Sequence, residues 1–149
     1  MFKSSKRLKL AMLYFCTLIF LLTGYAAAQS LCDCAMRGDI QKVNLLISQG
    51  ADVKMVNWAG VTPLHFAADR GHKDVVQLLI SKGANINAVD RDGVTSLHRA
   101  ARYGHKDVVE LKGADVNVVN SYGLTPLTLA TIAEEKDVME LLVKQGGHE

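Results

Sequence analysis

The sequence predicts an all-α repeat solenoid of about four stacked helix-turn-helix units, and three observations lead there. The stretch "TPLHFAADRGHKDVV" at 62–76 returns as "TSLHRAARYGHKDVV" at 95–109, and the pairs Gly50 and Gly83, Gly60 and Gly93, Thr62 and Thr95 are each 33 residues apart. A fixed period of this length marks a repeat architecture. Each period carries two short helix signals separated by a glycine. Helices of two or three turns are marginal alone in water, because nucleation costs more than so few turns return, so neighbouring units must stabilise one another by stacking.

The amino terminus reads differently. Lys3, Lys6, Arg7 and Lys9 precede the apolar run "LAMLYFCTLIFLL" at 10–22, and "TGYAAAQS" at 23–30 follows with small residues at Ala26 and Ala28. Residues 1–28 therefore predict a signal peptide cleaved after Ala28, with an uncleaved N-terminal anchor as the alternative. Positive charge before the apolar run keeps the start cytoplasmic under either reading, so the domain at 29–149 is expected to be exported, periplasmic or secreted, and to touch a membrane only if the segment stays uncleaved. Removing those four basic residues from 17 leaves 13 against 15 acidic ones. A basic nucleic-acid-binding domain is not indicated.

Four units follow, at about 29–60, 61–93, 94–123 and 124–149. In the first, "LCDCAMRGDIQKVNLLISQGADV" at 31–53 fits one period upstream, with Gly38 matching Gly71. Cys32 and Cys34 point roughly 200° apart on a helix, which disfavours a bridge, and Cys34 aligns with Ala67 as a small buried side chain. In the second, Thr62 is placed to cap a helix with Pro63 at its first position, and His65 falls where a capping box reaches back to the cap. Ala67 and Ala68 keep that helix thin, Gly71 ends it, and a second helix is predicted over Lys73 to Ser81 with Val75, Val76, Leu78, Leu79 and Ile80 as its apolar face. Gly83 suits the left-handed residue beyond its end, and 87–93 reads as a turn to the next unit.

The third unit is short. Thr95 and Thr125 are 30 residues apart, because "VVELKGAD" stands where the second unit has "VVQLLISKGAN". Residues equivalent to Leu79, Ile80 and Ser81 are absent, which shortens the second helix by about 4.5 Å and predicts a stub near Val108 to Lys112. The fourth unit, from "LTPLTLATIAEEKDVMELLVKQGG" at 124–147, has Thr128 in place of the histidine and Glu134 in place of the inter-helix glycine, which predicts a disturbed turn.

His65 and His72, seven residues apart, invite a catalytic or metal reading, but His98 and His105 repeat them. A structural role explains both copies. No HExxH, CxxC, phosphate loop or Ser-His-Asp ordering accompanies them, so no catalytic, cofactor-binding or metal site is predicted and the chain is not expected to be an enzyme.

"TPLHFAADRGHKDVVQLLISKGANINAVDRDG" resembles the ankyrin repeat family, and the resemblance covers essentially all of 31–149. It implies a right-handed solenoid with β-hairpin loops along one edge, a concave face that binds proteins, and no catalysis. The binding positions it implies are the hairpin tips and the ends of the first helices. Among the positions so indicated we select Arg37, Trp58, Asp69, Arg70, Arg91, Asp92, Arg102, Tyr103 and Tyr122, with Arg99 beside His98 on the same helix. Arg37, Arg70, Arg91 and Arg102 all fall on these positions while the lysines lie mostly around the second helices. Arginine, tryptophan and tyrosine are enriched at hot spots. The expected activity is therefore that of an exported, non-catalytic module binding a protein partner with an acidic and apolar surface. A structural or chaperone-like accessory to an extracytoplasmic enzyme is the alternative.

Overall fold

The structure, a computed structural model, describes residues 31–148; the targeting segment read at 1–28 lies outside them. Eight helical segments follow in four pairs: α1 over 31–37 and α2 Ile40–Ser48, α3 Pro63–Asp69 and α4 Lys73–Ser81, α5 Ser96–Arg102 and α6 Lys106–Val109, α7 Pro126–Ile132 and α8 Lys136–Lys144. The inner helices α3, α5 and α7 pack in sequence against one another, α4, α6 and α8 each pack behind their own inner helix, and α2 packs against α4. One continuous core runs through the stack, from Leu31 and Val43 through Leu64, Leu79 and Val109 to Val138 and Leu142. No described helix is long and apolar enough to cross a membrane.

Helices α3, α5 and α7 each start on a threonine in extended conformation, and in the second and third units the capping ring does two jobs. The Thr62 N–H donates to Nδ1 of His65 at 3.2 Å, with the Thr62 hydroxyl 2.8 Å from the same nitrogen. A backbone donor on Nδ1 puts the ring proton on Nε2. That nitrogen donates to the Val94 carbonyl of the next unit at 2.9 Å. His98 repeats the arrangement between Thr95 and the Leu124 carbonyl, 3.1 Å away. Both rings are fully buried, and burial holds both imidazoles below the ordinary histidine range. Thr128 closes the box in α7 with its own hydroxyl.

The histidines at the start of the outer helices tie the stack in the opposite direction. His72 Nε2 lies 3.1 Å from the Met36 carbonyl, and His105 Nε2 lies 2.9 Å from that of Asp69. Each ring lies against a glycine of the preceding unit: a Cβ on Gly71 would come within 2.6 Å of His105 Nδ1. Gly71 is thus required by close approach as well as by its φ of 71°. In the fourth unit the turn expected to be disturbed keeps its form. Glu134 takes φ 60° and its N–H still donates to Thr131, so a side chain accepts a left-handed position that packing of α7 against α8 imposes.

The loops are short. Oδ1 of Asn57, Asp90 and Asn120 each accept two backbone N–H groups of their own turn at 2.9 to 3.0 Å. Successive tips join through Arg91 N–H to Ala59 C=O and Ser121 N–H to Asp92 C=O. The hairpin edge is accordingly a row of linked turns, with one isolated bridge, Val89 to Thr95, among the described residues.

The three-residue shortening leaves α6 four residues long. Gln145 Nε2 donates to the Val109 carbonyl at 3.1 Å, supplying a partner from the fourth unit where the helix stops. The neighbouring Leu79 and Leu142 stay fully buried, but an outer notch of about 410 Å3 opens along Glu110 to Val116, and an inner void of about 20 Å3 lies beside Ser96, whose buried hydroxyl has no partner. Reinserting Leu-Ile-Ser after Leu111 restores a helix able to bury one more leucine, worth about 2 kcal/mol. The variant is expected to melt several degrees higher by calorimetry. An unchanged or lower melting temperature would show that the stub is already well accommodated.

Candidate functional site

The periodic spacing puts every loop tip at the start of an inner helix and every X-Arg or X-Tyr pair at its end. Between the third and fourth units this framework leaves a cleft of about 310 Å3. Val94, Leu124 and Leu129 give it apolar surface, Asp92 and Tyr122 come from the loop tips, and Arg102 and Tyr103 from the end of α5.

Arg99 occupies the position where the second and fourth units carry Phe66 and Leu129. Its Nη2 donates to Asp90 Oδ2 at 2.8 Å, and its Nη1 lies 3.5 Å from Asp69 Oδ1, so one guanidinium joins two units across the cleft floor. Its Nε is buried without a partner. Asp90 is nearly buried, which by itself would raise its carboxyl. The N–H groups of Val94 and Asp92 and the Arg99 guanidinium outweigh that effect and hold it below the ordinary carboxylate range.

Six of the ten residues selected from the sequence come together here: Asp69, Asp92, Arg99, Arg102, Tyr103 and Tyr122. The other four do not line the cleft. Arg37 closes α1, Trp58 stands 80% exposed on the loop of the second unit, Arg70 follows α3 with its Nε 3.8 Å from Asp69, and Arg91 lies exposed on the third loop. Arg102 lies 5.7 Å from the centre of the Tyr103 ring, with no carboxylate within 4 Å among the described residues. It is free to pair with another molecule.

Val94 and Leu124 stand at binding positions that the repeat pattern indicates, directly after the loop glycines, but were left out of the ten, whereas Asp90 and Leu129 were not singled out from the sequence. A signal for Asp90 was present: the loop leading into the third unit carries Asp90 where the loop before it has Asn57, and α5 carries Arg99 where α3 has Phe66, an opposite-charge pair where the neighbour has none. Elsewhere, no group of three or more His, Cys, Asp or Glu residues is placed to hold a metal ion among the described residues. Cys32 and Cys34 are buried and unbridged, and burial, with Asp33 beside it, pushes the Cys32 thiol up to about 11, away from nucleophilic use.

The paired exchange can be undone. Arg99→Phe alone leaves the nearly buried Asp90 carboxylate without its cation and is expected to destabilise by about 1 to 3 kcal/mol. Adding Asp90→Asn recreates the Asn57 and Phe66 pattern and is expected to recover most of that loss in urea unfolding. Equal destabilisation by the single and double variants would mean that the ion pair is not what holds this position.

The family model for ankyrin repeats, three copies, matches residues 31–120, which is 90 of the 149 residues. No curated protein matches the chain. The fourth unit lies beyond the matched span, yet it has the same threonine cap and helix pair and packs on the third. The chain belongs to the ankyrin repeat family.

Proposed function

We propose that this chain is an exported, non-catalytic binding module that docks a protein partner on the face built from loop tips and inner helices. Ankyrin repeats generally mediate protein-protein interaction and are typically non-catalytic. The observation that carries the reading for this chain is the unpaired Arg102 beside a half-exposed Tyr103 at the mouth of the cleft, with Tyr122 70% exposed across from them. A guanidinium already resting on a ring, and with no carboxylate partner, supports recognition of a carboxylate flanked by apolar surface. Arg70 and Trp58 extend that surface onto the second unit.

Alanine at Arg102 or Tyr103 is expected to weaken binding to a partner captured from the exported fraction by about 1 to 3 kcal/mol while barely moving the melting temperature, since both side chains are exposed. Normal binding by those variants, with loss on substitution of Lys73 and Lys106 at the outer helices, would place the partner on the opposite face. Export rests on the basic start and the apolar run at 10–22. Intact-mass measurement of the exported form is expected to show a chain beginning at Gln29, whereas a mass retaining Met1 to Ala28 would establish an anchor.

A further inference from the structure

The cleft between the third and fourth units has a charge polarity that a simply acidic partner would not match. Three carboxylates, Asp69, Asp90 and Asp92, line it against two guanidiniums, Arg99 and Arg102. Arg99 is committed to Asp69 and Asp90 together, and Arg70 lies 3.8 Å from Asp69, so the two carboxylates of the floor are matched by two guanidiniums. The two remaining charges are unpaired and stand at opposite ends. Asp92 is exposed on the loop tip, with no cation within 4 Å among the described residues, and Arg91 beside it in sequence does not line the cleft. Arg102 stands at the far end of α5. Asp92 precedes α5 and Arg102 is its last residue, so the helix, with a rise of roughly 9 Å from Ser96 to Arg102, separates the two charges, and Val94, Leu124 and Leu129 line the same cleft.

We propose that the cleft takes a short extended segment of the partner carrying a basic side chain for Asp92, an apolar side chain for the Leu124 and Leu129 floor, and an acidic side chain for Arg102. This rests on the protein-binding reading above and adds to it the order of the charges. Residues three apart in an extended chain are about 10 Å apart, enough to run along α5 from Ser96 to Arg102. A purely acidic segment meets Asp92. A purely basic one meets Arg102. Opposite charges across an interface fix register and exclude wrong partners more than they add raw affinity, so selectivity is the quantity to measure.

Three probe peptides test this on the isotopically labelled exported form by NMR titration: acetyl-Lys-Leu-Ala-Glu-amide, acetyl-Lys-Leu-Ala-Lys-amide and acetyl-Glu-Leu-Ala-Glu-amide. The mixed peptide is expected to bind at least about fivefold more tightly than either single-sign peptide, roughly 1 kcal/mol, with shifts centred on Asp92, Arg102, Tyr122 and Leu129. Asp92→Asn and Arg102→Gln, both at exposed positions, are each expected to abolish that preference without changing the melting temperature. Tighter binding of the all-acidic or the all-basic peptide in the cleft would overturn the bipolar assignment while leaving the protein-binding face in place. Shifts confined to Trp58 and Arg70, or no binding of any peptide at millimolar concentration, would overturn it too. The fate of the broader reading is decided separately, by partner capture with the alanine variants.

Discussion

Everything in this stack depends on a buried imidazole that must stay neutral. No unit here is thick enough to hold its own helices, so each must be fastened to the next, and His65 and His98 do so with one ring each: one nitrogen finishes the threonine cap and the other reaches the carbonyl of the following loop. Protonation would put a second donor on Nδ1, facing the N–H of Thr62 or Thr95, and would charge a group with no exposure to water. The local and the long-range bond therefore stand or fall together. His72 and His105 fasten the outer layer in the reverse direction, which is why the intervening glycines leave room for a ring rather than a methyl group.

The third unit departs from this regularity twice, on opposite sides. Behind, α6 has lost its last turn, and the gap is met by Gln145 from the next unit rather than by the helix itself. In front, Asp90 and Arg99 replace a neutral pair and draw Asp69 of the second unit into an ionic floor. The same layer that is thinnest behind is thus tied in front by charge, and the cleft lies beside it. A buried pair of this kind adds geometric definition more than stability. That suits the binding role proposed for Arg102 and Tyr103.

Much of this was legible in the sequence because it is local. Thr62 with Pro63 marked a helix start, Lys73 to Ser81 came out with the boundaries the structure has, and the missing Leu-Ile-Ser foretold the stub at α6. His65 was readable only as half of its role, since the Val94 carbonyl lies 29 residues away and its approach is set by how two units stack. The turn at Glu134 was misjudged for a related reason: an intrinsic preference against left-handed backbone, worth about 1 to 2 kcal/mol, yields to the packing on either side. At the cleft, the repeat spacing delivered six of its residues but placed Trp58, Arg37, Arg70 and Arg91 elsewhere, because a shared position in the repeat means a shared place on a unit and not a shared pocket. Leu124 follows the loop glycine, a binding position in the repeat, and was not selected, while Leu129 carried no signal, being an ordinary apolar residue whose partial exposure arises from the join between units.

The most direct test of the account is nitrogen-detected NMR titration of the His65 and His98 rings in the folded protein. It predicts both rings neutral with the proton on Nε2, and midpoints below the ordinary histidine value of about 6.5 because burial disfavours the charged form. A proton found on Nδ1, or midpoints at or above that value with the fold intact, would contradict the claim that these neutral rings carry the stack.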